Sequence, residues 1–405
     1  MPHGSLPSAD QLKRAAQIVE GRYESAKRNL KALVGFRRPL RIQTYRGFGS
    51  PNDLRVSGRV LEDKPIADPE EDHSWWQNMR SMYRHWQTDE VSGCRIACEF
   101  HGRRQTALTD EEGYFEFRYR FAEALPDGAF HTATLSLPPQ AIRQAGPVQA
   151  TSFNLVPSAT AQFGVISDMD DTVIRSYASN FWKIARLTLL KNARTRLPFE
   201  GVSAFYNALA AGTHSDWAES PTSRDPDIDP VVPPNPIYYV SSSAWNLYEL
   251  FRVFLRVNGL PDGPILLRDL GIDANQFIAG GHGHKLEKIE RIFASTGDLP
   301  FVLIGDSGQD DPKLYRDAVA RHPGRVKAIY IRDVRDRTRF DVRRIAREVT
   351  ADGVPMKLVP DTVAAANHAA QLGLIDAAHL PAIREDRRGD RLDATGESAE
   401  RQETV

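Results

Sequence analysis

Asp168, Asp170 and Asp171 stand within four residues of one another in GVISDMDDTVIRS, residues 164–176. They follow an uncharged apolar run, so three carboxylates sit at the tip of what reads as a buried strand. The same change from apolar run to polar tip recurs twice. PIYYVSSS ends in Ser241, Ser242 and Ser243, and PFVLIGDSGQDD ends in Asp306 and Ser307, with Asp310 and Asp311 close behind. Between them Lys285 opens the helical stretch GHGHKLEKIERIF. Carboxylates brought together from two strand ends repel one another unless a cation sits between them. A hard divalent ion with oxygen ligands answers this, and Mg2+ is the ordinary choice. Such an ion neutralises a phosphate, a lysine and a serine hold the remaining phosphoryl oxygens, and a carboxylate is competent to attack phosphorus. An isolated Asp-rich turn would read as a calcium-binding or solvated loop. Four elements in order, each at a strand end or a helix start, point instead to phosphoryl transfer through an aspartyl-phosphate.

The surrounding periodicities say what positions these residues. From residue 163 onward FGVISDMDD, PIYYVSSS, PFVLIGDS and VKAIYIRD are short continuous apolar runs. Helical stretches at 181–193, 201–211, 245–257, 284–296 and 311–321 separate them. Buried strands alternating with helices predict a mostly parallel α/β sheet covered on both faces. Ligands of such sheets sit beyond the carboxyl ends of the strands, where these polar tips lie. Upstream, over roughly 40–155, the period is two. IQTYRGFG, LRVSGRVL, CRIACEFHG, RRQTALTD, GYFEFRYRF and FHTATLSLP read as strands of a small β-rich sandwich or barrel. The insert EDHSWWQNMRSMYRHWQ, 71–87, interrupts it with three of the six tryptophans and is expected to pack as a helix closing one end of the sheet, with an exposed aromatic surface as the alternative. Residues 213–236 read as a loop rich in Asp, Pro and Ser.

Before the strands, Leu12, Ala15, Ala16, Val19, Tyr23, Ala26, Leu30 and Leu33 recur at helical spacing. Residues 10–41 carry nine Lys/Arg against three Asp/Glu, a net of +6. This basic amphipathic helix, within 1–39, is expected either to pack on its own domain or to sit on anionic lipid. At the other end, residues 384–405 are nearly devoid of apolar side chains and read as a disordered tail. The phosphatase-type α/β domain is then expected over 160–380.

The 405-residue chain has 52 basic and 53 acidic side chains, which gives no general reason to expect a nucleic-acid partner. Cys94 and Cys98, the only cysteines, lie at i and i+4 in one strand-like run. That spacing suits neither a bridge nor a zinc site, so both read as buried free thiols in a reducing compartment. With no signal-like or membrane-spanning run, the expected location is cytoplasmic, with peripheral membrane contact as an option.

Together, ISDMDDTVIRS, YYVSSSAWNLYELF, GHKLEKI and LIGDSGQDDPKLY resemble the haloacid dehalogenase-like phosphatase superfamily. More narrowly, over about 163–345, they resemble the phosphatidate phosphatase domain first known from a fungal actin-patch protein. TYRGFGSPNDLRVSGRVL is similar to the β-rich region that accompanies this domain in bacterial relatives. The resemblance implies a Rossmann-like sheet with a minimal cap, Mg2+ as cofactor, and the following roles. Asp168 is the nucleophile and a metal ligand. Asp170 protonates the leaving oxygen and later activates water, while its backbone carbonyl meets the metal. Asp171 stands where many relatives have glycine, and Thr172 supports the turn. Ser241 binds phosphate, with Ser242 and Ser243 as helpers. Lys285 neutralises the phosphoryl group and the nucleophile, and Asp306 completes the metal site. Asp311, before Pro312, is favoured as a further metal-side carboxylate, although Asp310 has the broader superfamily's spacing from Asp306.

Only about 70 residues separate the first two motifs, too few for a large mobile cap. An open pocket suits a phosphomonoester on a large body such as a lipid, with FWKIARLTLL, 181–190, packed in the core or touching the interface. With the resemblance, this makes phosphatidate the expected substrate, with diacylglycerol and phosphate as products. The alternatives are a soluble phosphomonoester or a phosphoprotein, or a vestigial membrane-binding module. His282 and His284 lack a third ligand partner in sequence and are expected to line the phosphate side or cap the helix. RDVRDRTRFDVRR, 332–344, reads as a solvated, salt-bridged surface.

Overall fold

Two burial patterns divide the chain. In a computed structural model, residues 39–62, 90–137, 148–169, 200–214, 230–268, 283–334 and 338–389 are described. The expected helices at 10–35 and 181–193 and the tryptophan-bearing insert lie outside these residues.

The first half is built from β1 (Leu40–Thr44), β2 (Gly47–Ser50), β3 (Asp53–Glu62), β4 (Arg95–Phe100), β5 (Arg103–Leu108), β6 (Tyr114–Arg120), β7 (Ala129–Leu137) and β8 (Val148–Val156). In β6, buried Phe115, Phe117 and Tyr119 alternate with exposed Glu116, Arg118 and Arg120, the period of a strand with one face in a core. β1 and β6 flank β3 in one antiparallel layer, and β5, β4, β7 and β8 form another. The short β2 joins them, antiparallel to β3 and parallel to β8. Tyr119 crosses between the layers, its hydroxyl donating to the Cys98 carbonyl at 2.9 Å. Cys94 and Cys98 are buried free thiols, and burial pushes the Cys94 thiol up to about 11.

The second half is a parallel sheet of β9 (Gly164–Asp168), β10 (Ile237–Ala244), β11 (Ile265–Arg268), β12 (Phe301–Asp306), β13 (Val326–Arg332) and β14 (Met356–Val359). Its order is β11-β10-β9-β12-β13-β14. Counted within the sheet this is 3-2-1-4-5-6, the doubly wound order whose direction reverses between the first and fourth strands. β9 and β12, on either side of that reversal, are buried at every position. Helices α1 (Val202–Ala211), α2 (Tyr248–Val257), α3 (Gly283–Ser295), α4 (Asp311–Arg321), α5 (Arg339–Ala351) and α6 (Thr362–Gln371) cover the sheet. One core gathers Phe205, Phe251 and Ala366 from α1, α2 and α6, and a second gathers Ile292, Tyr315 and Val349 from α3, α4 and α5.

Several details depart from the sequence reading. The run IQTYRGFG is two strands, interrupted at Tyr45 and Arg46, and the Tyr45 side chain packs against the parallel-sheet half. Its ring stacks on Trp245 at 4.1 Å between centroids and lies 4.6 Å from Tyr248. The next residue follows it, with the Arg46 amide donating to the Tyr248 hydroxyl at 2.8 Å and its guanidinium paired with Asp262. The stretch at 245–257 is a short 3-10 turn, Trp245–Leu247, followed by α2. The expectation of a disordered tail from Arg384 is corrected at its start. A helix beginning at Leu380 continues through residue 389. It is held by buried Ile383 and by Arg387, which reaches Asp361 at 2.8 Å and Glu200 at 3.4 Å. The Arg-rich stretch does carry surface ion pairs, Arg339 with Asp333 and Arg344 with Glu348. It also enters α5, where Val342, Ile345, Ala346 and Val349 form a buried stripe. No helix among the described residues is long and apolar enough to cross a membrane.

Candidate active site

Strand register sets the site. Asp168 lies opposite Val240, one residue before Ser241, and Ser167 lies opposite Ile304, two residues before Asp306. Three motifs distant in sequence thus end side by side at the carboxyl edge of the sheet. The fourth arrives on α3, whose first turn carries Lys285 over that edge. The Lys285 ammonium is 2.7 Å from Asp168 Oδ1 and 3.0 Å from Asp311 Oδ1, and it donates to Gln309 Oε1 at 3.1 Å. Burial opposes its charge, but the two carboxylates outweigh that cost and hold the ammonium well above the ordinary lysine range. Breaking such a buried pair by removing one partner costs roughly 3–5 kcal/mol.

Asp168, Asp306 and Asp311 are buried, and one oxygen from each lies within 4.8 Å of the others. The Gly308 and Gln309 amides donate to Asp306 Oδ1, which fixes that carboxylate beyond the strand end. Asp311 opens α4, where a negative charge suits the helix N-terminus and Pro312 fits the first turn. Its Oδ1 accepts from Lys285 and its Oδ2 from the Asp306 amide at 3.2 Å, so it braces the lysine against β12. Asp310 stands at the N-cap position of the same helix, and its side chain pairs with Lys313 at 3.0 Å instead of capping. Of the two neighbouring aspartates, Asp311 is the one that lies beside Asp168 and Asp306. A Cβ added to Gly305 would meet Asp311 Oδ2 at 2.5 Å, so the glycine of GDSGQDD is what lets this carboxylate approach the strand. Three buried hard-oxygen donors at this spacing fit a small divalent cation such as Mg2+.

Ser241 is buried, and its hydroxyl accepts from the Ser243 amide at 2.9 Å, which tightens the strand end into a turn. Ser242 is exposed at the rim. His284 borders Lys285 on α3, 4.0 Å from Glu287. Asp170, Asp171, Thr172 and His282 lie outside the described residues. Sequence reasoning missed Lys288, whose ammonium donates to the Ser241 carbonyl at 3.0 Å. Its signal was present, since Lys285 and Lys288 are three apart and so neighbours on a helix surface. Ser307 was noted only as polar. It ties the loop after β13 to the site, its hydroxyl accepting from the Val334 amide and its carbonyl from the Thr338 hydroxyl.

A doubly wound sheet with carboxylates and a lysine at its reversal point defines a class of α/β chains whose chemistry is done at the strand ends. Residues 163–333 match the family model described as the catalytic domain of phosphatidate phosphatase APP1. Phosphatidate phosphatase APP1 of Saccharomyces cerevisiae is 26% identical over 170 residues, and an uncharacterized protein of Schizosaccharomyces pombe is 29% identical over 172. In each case the match covers 42% of this chain and 25% of the relative, so the chain spans about a quarter of the length of these relatives. Among solved structures, a carbohydrate acetylesterase from Xanthomonas citri aligns with a TM-score of 0.22 and 11% identity, covering 69% of this chain and 65% of that one. The PilB minor pilin of Streptococcus sanguinis aligns with a TM-score of 0.24 and 8% identity, covering 91% and 99%. Scores this low assign no fold.

Proposed function

We propose that the chain is a Mg2+-dependent phosphomonoester hydrolase of haloacid dehalogenase-like architecture that acts on phosphatidate and releases diacylglycerol and phosphate. The observation that carries this is the convergence of Asp168, Asp306, Asp311 and Lys285 at adjacent ends of parallel strands. The family match of residues 163–333 and the strand order support it.

The chain's own residues divide the work as follows. The Asp168 carboxylate attacks phosphorus, a P–O bond forms at Asp168, and the bond to the diacylglycerol oxygen breaks. Asp170 donates a proton to that leaving oxygen, then takes one from the water that attacks the acyl phosphate and regenerates Asp168. Lys285 holds a positive charge against the nucleophile and the equatorial oxygens, and Ser241 with its turn receives the phosphate. Asp168, Asp306 and the Asp170 carbonyl would hold the metal, with Asp311 behind them, and a bound Mg2+ supplies charge neutralisation and orientation at the phosphoryl group.

A substrate panel tests the reading. Phosphate release should be fastest from phosphatidate in anionic vesicles, slower from glycerol 3-phosphate and slowest from a phosphoserine peptide. Preference for the peptide or the soluble ester would move the substrate to the alternatives, and no release from any would leave a vestigial module. The basic helix within 1–39 is proposed as the vesicle contact. Deleting residues 1–38 should then reduce vesicle hydrolysis and its salt sensitivity without changing turnover of the soluble ester.

A further inference from the structure

A cleft of about 520 Å3 opens between the β-rich half and the parallel sheet. One wall belongs to the β-rich half and includes Leu108 and Tyr114. The opposite wall is Trp245, Leu266 on β11, and the face of α3 that carries Lys288 and Arg291. This α3 face is contiguous with the candidate active site. Residues 284, 287, 288 and 291 follow helical spacing along the cleft, while Lys285, one residue round the helix, reaches Asp168. Lys288 is both cleft wall and donor to the Ser241 carbonyl, and Trp245 follows the Ser241–Ser243 turn by two residues. A molecule with its phosphoryl group at Asp168 therefore has this cleft beside it.

The lining is divided in the manner of an amphiphile. Lys288 lies at the end next to Ser241, while Arg291, a turn further along α3, pairs with Glu116, and Phe48, Leu108, Trp245 and Leu266 supply apolar lining. Leu108 stands out, because it is 63% exposed on a strand whose other residues are mostly polar. A single exposed leucine is ordinary alone, but here it lines the same cleft as Leu266 and Trp245. Within the cleft wall, Glu116 joins the two halves: it accepts from Arg55 of its own layer at 2.7 Å and from Arg291 of α3 at 3.1 Å. The cleft volume lies within the usual range for small-molecule sites.

We propose that this cleft is the subsite for the apolar body of an amphiphilic phosphomonoester, so that the β-rich half forms one wall of the substrate site. The inference rests on the phosphomonoesterase reading above and adds to it the acyl-binding surface. Each methylene withdrawn from water should improve kcat/KM about fourfold until the cleft is filled.

Two measurements on the full chain test this. In the first, kcat/KM is followed over a series of monomeric phosphatidates from dibutanoyl to dioctanoyl, for the wild type and for Leu108→Glu. The wild type should rise steeply with chain length, and the variant's slope should flatten by tenfold or more over the series. Equal slopes would overturn the proposal. The second needs no variant and no turnover. A dioctanoyl phosphatidate analogue with a diazirine at the acyl end is photolysed on the wild type, and labelled peptides are mapped. Label should fall within 103–118 and 264–268 and be displaced by dioctanoyl phosphatidate but not by glycerol 3-phosphate. Label confined to other peptides would refute the subsite. If no phosphomonoester is hydrolysed but the cleft is labelled, the activity reading fails while the amphiphile site stands.

Discussion

Asp168→Asn is expected to remove turnover of every phosphomonoester by at least roughly 10³-fold, because an amide does not form the acyl phosphate on which both half-reactions depend. The fold should survive. Asp168 ends a strand whose other residues stay buried, and Lys285 keeps Asp311 as a partner at 3.0 Å. Circular dichroism and a thermal melt establish that point, and phosphate release measures the loss. Asp170→Asn should cost roughly 10²–10⁴-fold, the usual reach of positioned acid–base catalysis. Its defect should shrink with an aryl phosphate, whose leaving group needs no proton. A variant at Asp168 with near-normal turnover would mean that phosphorus is attacked by something else.

Removal of metal should have an effect of similar size. Asp168 and Asp306, two of three buried carboxylates within 4.8 Å of one another, belong to the proposed donor set, and Lys285 pairs with Asp168 and Asp311. Exhaustive chelation is expected to abolish phosphate release, and added Mg2+ to restore it. Asp306→Asn should raise the Mg2+ concentration for half-maximal activity by roughly 10–100-fold, the range found when groups around a metal are altered. Binding is also readable without turnover. At a hundred times its dissociation constant a ligand specific for the folded state adds about 2.7 kcal/mol of stability, so Mg2+ should raise the melting temperature of the wild type more than that of Asp306→Asn. Undiminished turnover in the fully chelated protein would remove the metal from the account.

The strand-end motifs were legible because central parallel strands are buried on both faces. Runs such as GVIS and FVLIG therefore stand out against the polar tips that follow. Their order in the sheet was not legible, since no local pattern says that β9 lies between β10 and β12. Which of Asp310 and Asp311 lies beside Asp168 and Asp306 turned on where α4 begins. A helix starting at Asp311 sends that side chain inward and leaves Asp310 at the N-cap position, paired with Lys313. Short or mixed elements escaped for physical reasons. β14 is four residues long, and in β8 buried and half-exposed positions break the simple alternation. The stripe Val342, Ile345, Ala346 and Val349 was readable at i, i+3, i+4 and i+7, but the arginines between its members masked it. The packing of Tyr45 on Trp245 and Tyr248 is tertiary, and no local pattern announces it.

The central claim, a covalent phosphoryl transfer at Asp168, is tested most directly by trapping the intermediate. The full chain is mixed with Mg2+ and phosphatidate carrying a radioactive phosphate, quenched in acid within the first turnover, and digested. The account predicts a hydroxylamine-sensitive label on the peptide containing Asp168, formed before free phosphate appears and missing from Asp168→Asn. Full release of labelled phosphate in that turnover with no labelled peptide at any time, or label on another residue, would contradict it.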